Sequence, residues 1–370
     1  MSWFKSDLLE TERHTVSHIY GAEWDGSSSP VWLRTDDAAL FPEPIPQMSD
    51  GNGGWTQGSS PFDEIMPWAG MTVSEDSNAG TLVAIPKFYF KLGYANETEP
   101  RGLKIQISSQ EFEGSQVSPA HMDRGDGAGE RDVVYIGRYH CGNGYKSVAG
   151  YTPTGNYTRA EFRSGIHNLG TTIWQNDYAL RVTIWLLYLV EFANWNSQAC
   201  IGGGCSTSGS AMIMGYTNSM TYHTGTTATS IGATTYGGTQ YRNIEGLWDN
   251  VYDWCDGIVF DSSGIYATLN PSNFEDSTRK HTLVGIRPGS GYISAFGIST
   301  VNNFGWFIYP SAVSNGEVTY DYHDKDSSGV TLRFGGSYTQ LQYDGLFCMN
   351  GNSVASVKST RLGSRLMKLP

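Results

Sequence analysis

The sequence has little basic charge and no long apolar run. Lys and Arg number 24 against 36 Asp and Glu, which gives a formal net charge of −12. Nucleic-acid binding draws much of its free energy from clustered Lys and Arg, so DNA and RNA are not expected partners. The longest apolar run, residues 184–190, is far below the roughly 20 residues that span a bilayer, so no membrane insertion is expected.

Cysteine is also scarce. The five cysteines lack the tight pairing of a small secreted scaffold, so free thiols are expected. The spacing of Cys200 and Cys205 allows a small disulfide loop, half of a zinc site or two unpaired thiols, but no second Cys/His pair completes a zinc site. The first residues carry no basic start followed by an apolar core and a small-residue cleavage site. We therefore expect synthesis in a bacterial cytoplasm without a secretion signal.

Glycine and the aromatic residues, by contrast, are abundant. The 45 glycines and a charged content of only 16% indicate a loop-rich protein in which many backbone positions need positive φ or close packing. A hydrophobic content of 39% is enough for a sizeable core. The 22 tyrosines and 11 tryptophans suit adhesive surfaces as well as cores, because their rings are apolar and carry a polar group.

The composition changes at about residue 81. Residues 1–80 are rich in Pro, Gly, Ser and Asp, which predicts loops and short strands. They form either an attachment arm or a cover packed on the main body, and the sequence leaves both alternatives open. Beyond residue 81, β-branched and aromatic runs predict strands near 82–90, 104–107 and 133–136.

Two helices are predicted in the middle of the chain. Thr158 and Glu161 have the spacing of a capping box, which starts the first helix, and Gly170 is placed to end it. The second helix begins near Asp177 and is apolar on nearly every side, which predicts full burial. Residues of about 197–240 are poor in aliphatic side chains and predict inserted loops.

The C-terminal segment combines a glycine-rich frame with side chains that follow no folding period. Between the frame segments lie Tyr, Ser, Asn and Gly on turns, a composition that resembles an antibody paratope. Recognition is therefore the leading hypothesis for this segment. The frame consists of Arg333–Gly336, Gly345–Phe347, Asn350–Asn352 and Leu362–Leu366.

Two parts of the chain resemble the formylglycine-generating-enzyme branch of the C-type lectin fold. Residues 249–254, Asp-Asn-Val-Tyr-Asp-Trp, are similar to its Asn-Val-Trp-Glu-Trp segment, although the stretch is too short for its period to separate a strand from a helical turn. Residues 335–338 and 363–366 resemble the Gly-Gly-Ser-Trp and Gly-Phe-Arg-Leu ends of the same branch. The resemblance implies an α+β, C-type lectin-like domain over residues 81–370, with two helices packed on short antiparallel sheets.

Within this branch, residues 333–366 resemble the variable region of proteins diversified by retroelements, of the phage major tropism determinant type. In that family, random replacement at adenines of Asn codons changes the residues between frame positions. Gln340, Gln342 and Lys358 are not reachable by that route. The alternative is that Tyr338 and Tyr343 pack against the rest of the protein and that the polar residues are only solvated, without binding a ligand. The resemblance implies a ligand-binding set of Tyr338, Thr339, Leu341, Tyr343, Asp344, Ser353, Val357, Ser359 and Arg361.

The resemblance implies a receptor-binding adhesin rather than an enzyme. Its expected place is the tip of a phage tail fibre in the virion, with a bacterial cell surface as the alternative. The expected partners are a host cell-surface protein or glycan and other tail proteins. A homotrimer is expected because tail fibres usually are trimers, and clustered copies raise avidity.

Two other functions are alternatives to this one. An oxidase of the formylglycine-generating type uses a pair of cysteines near its C-terminus to bind copper, whereas only Cys348 lies in that region. A calcium-dependent, glycan-binding lectin of the true C-type carries a Glu-Pro-Asn or Gln-Pro-Asp triplet, which is absent. Residues 324–329 begin like a calcium loop, but Gly335 stands where the bidentate Glu is needed. No cofactor is expected, with a looser calcium site left open.

Overall fold

Short strands dominate the computed structural model of this chain. The structure describes residues 17–205, 209–232, 235–316, 321–325 and 331–370, without the side chain of Gln342. Within those ranges it contains 24 strands and three α-helices, joined by long loops. This mostly β, loop-rich architecture is compatible with the α+β class.

The strands are short because turns interrupt them every few residues. In chain order they are β1 (Tyr20–Trp24), β2 (Leu33–Asp36), β3 (Gln47–Met48), β4 (Val73–Asp76), β5 (Gly80–Pro86), β6 (Tyr89–Gly93), β7 (Leu103–Ser108), β8 (Gln116–Val117), β9 (Val133–Gly137), β10 (Ile173–Gln175), β11 (Gly225–Thr226), β12 (Thr239–Tyr241), β13 (Ile244–Glu245), β14 (Tyr252–Cys255), β15 (Ile258–Phe260), β16 (Ile265–Ala267), β17 (Thr282–Gly285), β18 (Gly291–Ile298), β19 (Ile308–Ser314), β20 (Tyr322–Lys325), β21 (Thr331–Phe334), β22 (Met349–Ser353), β23 (Leu362–Ser364) and β24 (Leu366–Lys368). The predicted strands near 82–90, 104–107 and 133–136 correspond to β5 with β6, β7 and β9.

The described strands form five sheets. Most neighbours pair antiparallel, whereas β3 with β11, β14 with β23 and β20 with β22 pair parallel. Strands from distant parts of the sequence therefore meet in each large sheet. The strand orders are β2-β1-β7-β6-β8, β10-β24-β9-β5-β4, β13-β12-β11-β3, β19-β18-β20-β22-β21-β14-β23 and β15-β16-β17.

The helices begin at the capping residues that the sequence predicts. Helix α1 (Arg159–His167) has the complete capping box of Thr158 and Glu161, and α2 (Tyr178–Phe192) is capped by the Asp177 carboxylate. Helix α1 ends three residues before Gly170, because the chain turns at Asn168. A third helix, α3, spans Ser197–Cys200. None of the helices in the described ranges is long and apolar enough to cross a membrane.

Helix α2 lies at the centre of the core, since every one of its residues is buried. The ring of Trp185 packs against Phe347 and Phe334, with centroids 5.2 and 5.8 Å away. Its indole N–H donates to the Leu346 carbonyl at 2.9 Å. Full burial of a large apolar side chain contributes about 1.5–3 kcal/mol relative to exposure. The frame of the C-terminal segment is therefore part of the core.

Residues 17–80 pack on the rest of the chain. Strand β1 pairs with β2 on one side and with β7 on the other, so the predicted boundary at residue 81 falls inside a sheet. Trp24 and Trp32 pack against Trp195, which follows α2, at centroid distances of 5.6 and 5.1 Å. Of the two alternatives for this region, the contacts of residues 17–80 correspond to a cover. Residues 1–16 lie outside the described part.

The buried His121 makes the stability of this fold dependent on pH. Its Nδ1 lies 2.6 Å from the Ser118 hydroxyl and its Nε2 lies 2.8 Å from the Ile85 carbonyl. Burial lowers the pKa of His121 to about 4, whereas an unfolded histidine has a pKa of about 6.5. Below that value the unfolded chain binds a proton that the folded chain does not, so stability falls as pH falls.

We predict that lowering the pH from 7 to 5 reduces the free energy of unfolding of both the wild type and His121→Gln. The loss should be larger in the wild type by about 2 kcal/mol. The glutamine has no titrating group and keeps a donor for the Ile85 carbonyl. The measurement is urea unfolding of both proteins at the two pH values. An equal loss of stability in the two proteins would contradict the assignment of a neutral, buried imidazole at this position.

Candidate functional site

The C-terminal end of the frame is fixed to a buried ion cluster. The Asp253 carboxylate accepts hydrogen bonds from Arg181 at 3.2 Å and from Arg365 at 3.3 Å, and all three side chains are buried. Burial acts to raise the pKa of Asp253, but its positively charged neighbours outweigh burial and lower the pKa below the usual value. The carboxylate is therefore ionised and paired with both guanidinium groups.

Arg365 also binds the backbone of two separate loops. Its guanidinium donates to the carbonyls of Gly137 and Arg138, both at 2.9 Å, and to those of Glu245 and Gly246, at 2.7 and 3.1 Å. A guanidinium offers five N–H groups, and here they bind carbonyls that would otherwise be buried without donors. One side chain thus ties the C-terminal frame to β9, to the start of the 246–254 segment and to Asp253.

The other end of the frame depends on glycine. Gly335 has a φ of +90°, and a Cβ at that position would lie 2.6 Å from the Leu247 carbonyl oxygen. Gly336 has a φ of +125°, and its Cβ would lie 1.9 Å from a carboxylate oxygen of Asp344. Both positions combine a backbone that L side chains rarely adopt with a close approach. These two close approaches explain why the sequence has consecutive glycines at positions 335 and 336.

Six of the nine predicted ligand-binding residues reach solvent. Thr339, Leu341, Tyr343 and Arg361 are exposed, whereas Val357 and Ser359 are half-buried. Arg361 joins the two halves of the segment, because its guanidinium donates to the Thr339 hydroxyl at 3.2 Å.

The other three predicted residues are buried, which corrects the prediction that Asp344 and Tyr338 lie on an exposed surface, whereas Ser353 still lines one of the cavities described below. Asp344 is fully buried against Gly336, and its carboxylate accepts from the backbone N–H of Ser337 at 3.3 Å. Ser353 is buried on β22. Tyr338 is only 9% exposed, with its hydroxyl 3.2 Å from that of Thr360. These residues hold the segment in place, and for Tyr338 the packing alternative is the correct one.

Two adjoining cavities of about 460 Å³ each open beneath the exposed residues. Tyr252 on β14 and Arg333 on β21 line both cavities, as do Gln340, Asn352 and Arg361. The first cavity is completed by Ser353, Val357, Lys358, Ser359 and Leu362, and the second by Tyr322, Asp324, Tyr343, Cys348 and Asn350.

Arg333 is the central charged group of these cavities. Its guanidinium lies over the ring of Tyr252, 4.6 Å from the centroid, and donates to the Ser353 hydroxyl at 2.8 Å and to the Asn352 amide oxygen at 3.1 Å. Burial lowers the pKa of Arg333, with Asp324 opposing and Arg361 adding to that effect. The group is charged at neutral pH, since an arginine remains protonated even with a moderate shift.

The Cys348 thiol does not have the properties of a reactive nucleophile. Burial raises the pKa of its thiol well above the usual value, and all five cysteines are free. In the described ranges, no group of three or more His, Cys, Asp or Glu side chains is arranged to hold a metal ion. The sequence stretch that begins like a calcium loop lies mostly outside the described residues, since 326–330 are not among them.

A second polar cluster was not predicted from the sequence. The Asp63 carboxylate contacts the Tyr222 hydroxyl and His223 Nε2, each at 2.9 Å, and Arg242 at 3.3 Å. Arg242 also pairs with Glu191 of α2 at 2.5 Å. These residues border a cavity of about 470 Å³. Asp63 and His223 lie 160 positions apart, so no sequence motif joins them, and their charges are satisfied by one another.

Comparisons with known proteins add little to this description. No protein-family model matches the chain, and no curated protein matches it. Among solved structures, the chain is similar to PvdO from Pseudomonas aeruginosa, with 11% sequence identity and a TM-score of 0.35, over 81% of this chain and 98% of that one. A likeness at this level carries no argument about fold or function.

We predict that the frame and the exposed residues differ sharply in their contribution to stability. Arg365→Met removes one of the two guanidinium partners of Asp253 and leaves several buried carbonyls without donors, and should reduce the free energy of unfolding by about 3–5 kcal/mol. Arg361→Met makes the same chemical change at an exposed position and should shift stability by no more than about 0.5 kcal/mol. Urea unfolding of both variants measures the difference. Similar losses in the two would refute the assignment of Arg365 as an anchor.

Leu341 provides a separate test, because its backbone is left-handed with a φ of +56°. This conformation costs roughly 1–2 kcal/mol for most L-residues and less for Asn, whose side chain can bond locally. We predict that Leu341→Asn stabilises the fold by about 0.5–1 kcal/mol. Val354→Asn is the matched control, since Val354 is similarly exposed and is not among the positive-φ residues. No gain for Leu341→Asn over this control would argue against the described turn.

Proposed function

We propose that this protein is a receptor-binding adhesin of C-type lectin-like fold whose C-terminal segment is a diversified ligand-binding surface. The observation that carries the proposal is the division of that segment by burial. The frame residues Gly335, Gly336, Leu346, Phe347 and Arg365 are buried. Most residues expected to vary lie at the surface around two cavities.

This division has a physical consequence for sequence change. A side chain that faces water can be replaced without altering core packing, so surface substitutions usually change stability by about 0.5 kcal/mol or less. Loops positioned by a rigid scaffold are accordingly common binding sites. The segment around Thr339, Leu341, Tyr343 and Arg361 therefore combines tolerance to replacement with access to a ligand, as a diversified receptor-binding surface requires, whereas the half-buried Val357 also packs against a core cluster.

The proposed setting is the tip of a phage tail fibre, in a homotrimer that contacts a host cell-surface protein or glycan. Weak sites on several copies bind a multivalent surface with greater avidity. The resemblance of residues 249–254, 335–338 and 363–366 to the formylglycine-generating-enzyme branch supports the fold assignment. The coding DNA offers an independent check, because a diversified protein has a nearby reverse transcriptase gene and a near-copy of the tail sequence that differs only at adenines.

We predict that replacing Thr339, Leu341, Tyr343, Val357 and Arg361 together, with residues taken from another variable segment, preserves folding and abolishes attachment to the host cells. The measurement is binding of labelled protein to a panel of bacterial cells, with thermal unfolding as the folding check. The matched control changes Val31, Leu33 and Leu40, which are exposed in the region that precedes the predicted boundary, and should attach as the wild type does. Unchanged attachment of a folded tail variant would refute the proposed binding surface.

A further inference from the structure

The half-buried Arg333 and the exposed Arg361 at the cavities differ from several buried or half-buried arginines of this chain. Arg124, Arg163 and Arg242 pair directly with Asp177, Asp256 and Glu191, as expected for guanidinium groups removed from water. Arg333 and Arg361 form no ion pair with a carboxylate in the part of the chain that the structure describes. Two cations thus line the same cavities without a carboxylate in direct contact among the residues that the structure describes.

Arg333 also retains unused donors. Of its five N–H groups, one on each terminal nitrogen binds Ser353 or Asn352. Its Nε is buried and out of reach of a ligand, so the second N–H on each terminal nitrogen is the donor that remains. The stacking on Tyr252 and the two hydrogen bonds hold the guanidinium in one orientation, so little side-chain freedom is lost when a ligand binds. A planar, preorganised fork of this kind matches a carboxylate.

We propose that the cavities bind an acidic saccharide, with its carboxylate held by Arg333 and Arg361. This inference rests on the proposed function, since it specifies the chemistry of the receptor that the tail surface recognises. Arg361 lies at the exposed rim and lines the same two cavities as Arg333. A carboxylate placed between them relieves the repulsion of two like charges and receives charge-assisted hydrogen bonds.

The remaining lining residues favour a sugar over a peptide. Amide and hydroxyl groups predominate, whereas protein-binding hot spots need a large apolar or aromatic anchor in a desolvated pocket. Amides and hydroxyls are both donors and acceptors, as sugar hydroxyls require. The rings of Tyr322 and Tyr343 pack edge to face at 5.7 Å and offer an apolar surface with a polar tip. The polar lining residues are Gln340, Asn350, Asn352, Ser353 and Ser359.

The charges also orient the ligand. Lys358 lines the first cavity and pairs with Glu161 at 2.7 Å, which lowers the pKa of that carboxyl to about 2. Asp324 lines the second cavity, where it accepts hydrogen bonds from Asn352 and Ser290. A carboxylate of the ligand is repelled by Asp324. The acidic sugar unit therefore occupies the first cavity, and uncharged units extend over the tyrosines of the second.

Arg333 belongs to the fixed frame, whereas Arg361 belongs to the residues expected to vary. The acid-binding group thus remains when the surface is diversified, and variable residues add selectivity around it. Copies with different residues at 339, 341, 343 and 357 should retain a preference for acidic sugars while they differ in the particular sugar that they bind.

The test uses the whole chain and a panel of oligosaccharides of galacturonate and glucuronate, each with its methyl ester as the uncharged control. Titration calorimetry should detect binding of at least one acid, with weaker binding of its ester and lower affinity at higher salt. Arg361→Gln should weaken the binding about tenfold or more. Arg333→Lys, which keeps the charge and loses the fork, should do the same. Arg279→Gln removes an arginine whose side chain is 81% exposed outside the cavities and should bind as the wild type does.

Three results would overturn the inference. They are equal binding of acid and ester, unchanged affinity in both folded arginine variants, or binding of polyglutamate with no binding of any acidic oligosaccharide at millimolar concentration. Cell attachment separates this failure from that of the proposed function. If the five-residue tail variant loses attachment while acidic sugars do not bind, only the ligand chemistry is wrong. If the tail variant attaches normally, the binding surface itself is wrong.

Discussion

The organisation of this protein depends on the buried carboxylate of Asp253 and its two arginines. A buried charge without a partner is strongly destabilising, so Arg181 of α2 and Arg365 of the C-terminal frame must both remain close to it. The three residues come from the central helix, from β14 and from the last part of the chain. Their interaction fixes the central helix relative to β14 and to the C-terminal end of the frame. The loops between Gly336 and Leu362 are thereby held at their base, and the tips of those loops take no part in this interaction.

Because the ends of the segment are fixed, most side chains in its middle contribute little to the stability of the fold. Asp344, Ser353 and Tyr338 are exceptions, because they contact the Ser337 backbone N–H, the Arg333 guanidinium and the Thr360 hydroxyl, respectively. The cavities lie where the sheet surface around Tyr252 and Arg333 meets these loops. Under the proposed function, a ligand at this place would contact the guanidinium of Arg333 in the frame and several side chains that are expected to vary.

Local signals in the sequence predicted local structure correctly. The capping box at Thr158, the helix start at Asp177 and the full burial of α2 are confirmed, since each depends on residues only a few positions apart. Long-range contacts were not predictable in the same way. The burial of Asp344 depends on the close approach of Gly336, and an acidic residue on a polar loop reads as solvent-exposed. The network of Asp63 and His223 was not predictable from local sequence either, because it joins residues 160 positions apart.

Strand β24 lies between β9 and β10 within its sheet, although it follows the loops between Gly336 and Leu362 in the sequence. It pairs with Ile173–Gln175 on one side and with Tyr135 and Ile136 on the other. A polypeptide that stops anywhere in the loops lacks this strand and leaves two sheet partners with unsatisfied backbone groups. A chain cut short in these loops therefore cannot complete its fold, so the sheet that carries β9 and β10 requires residues 366–368.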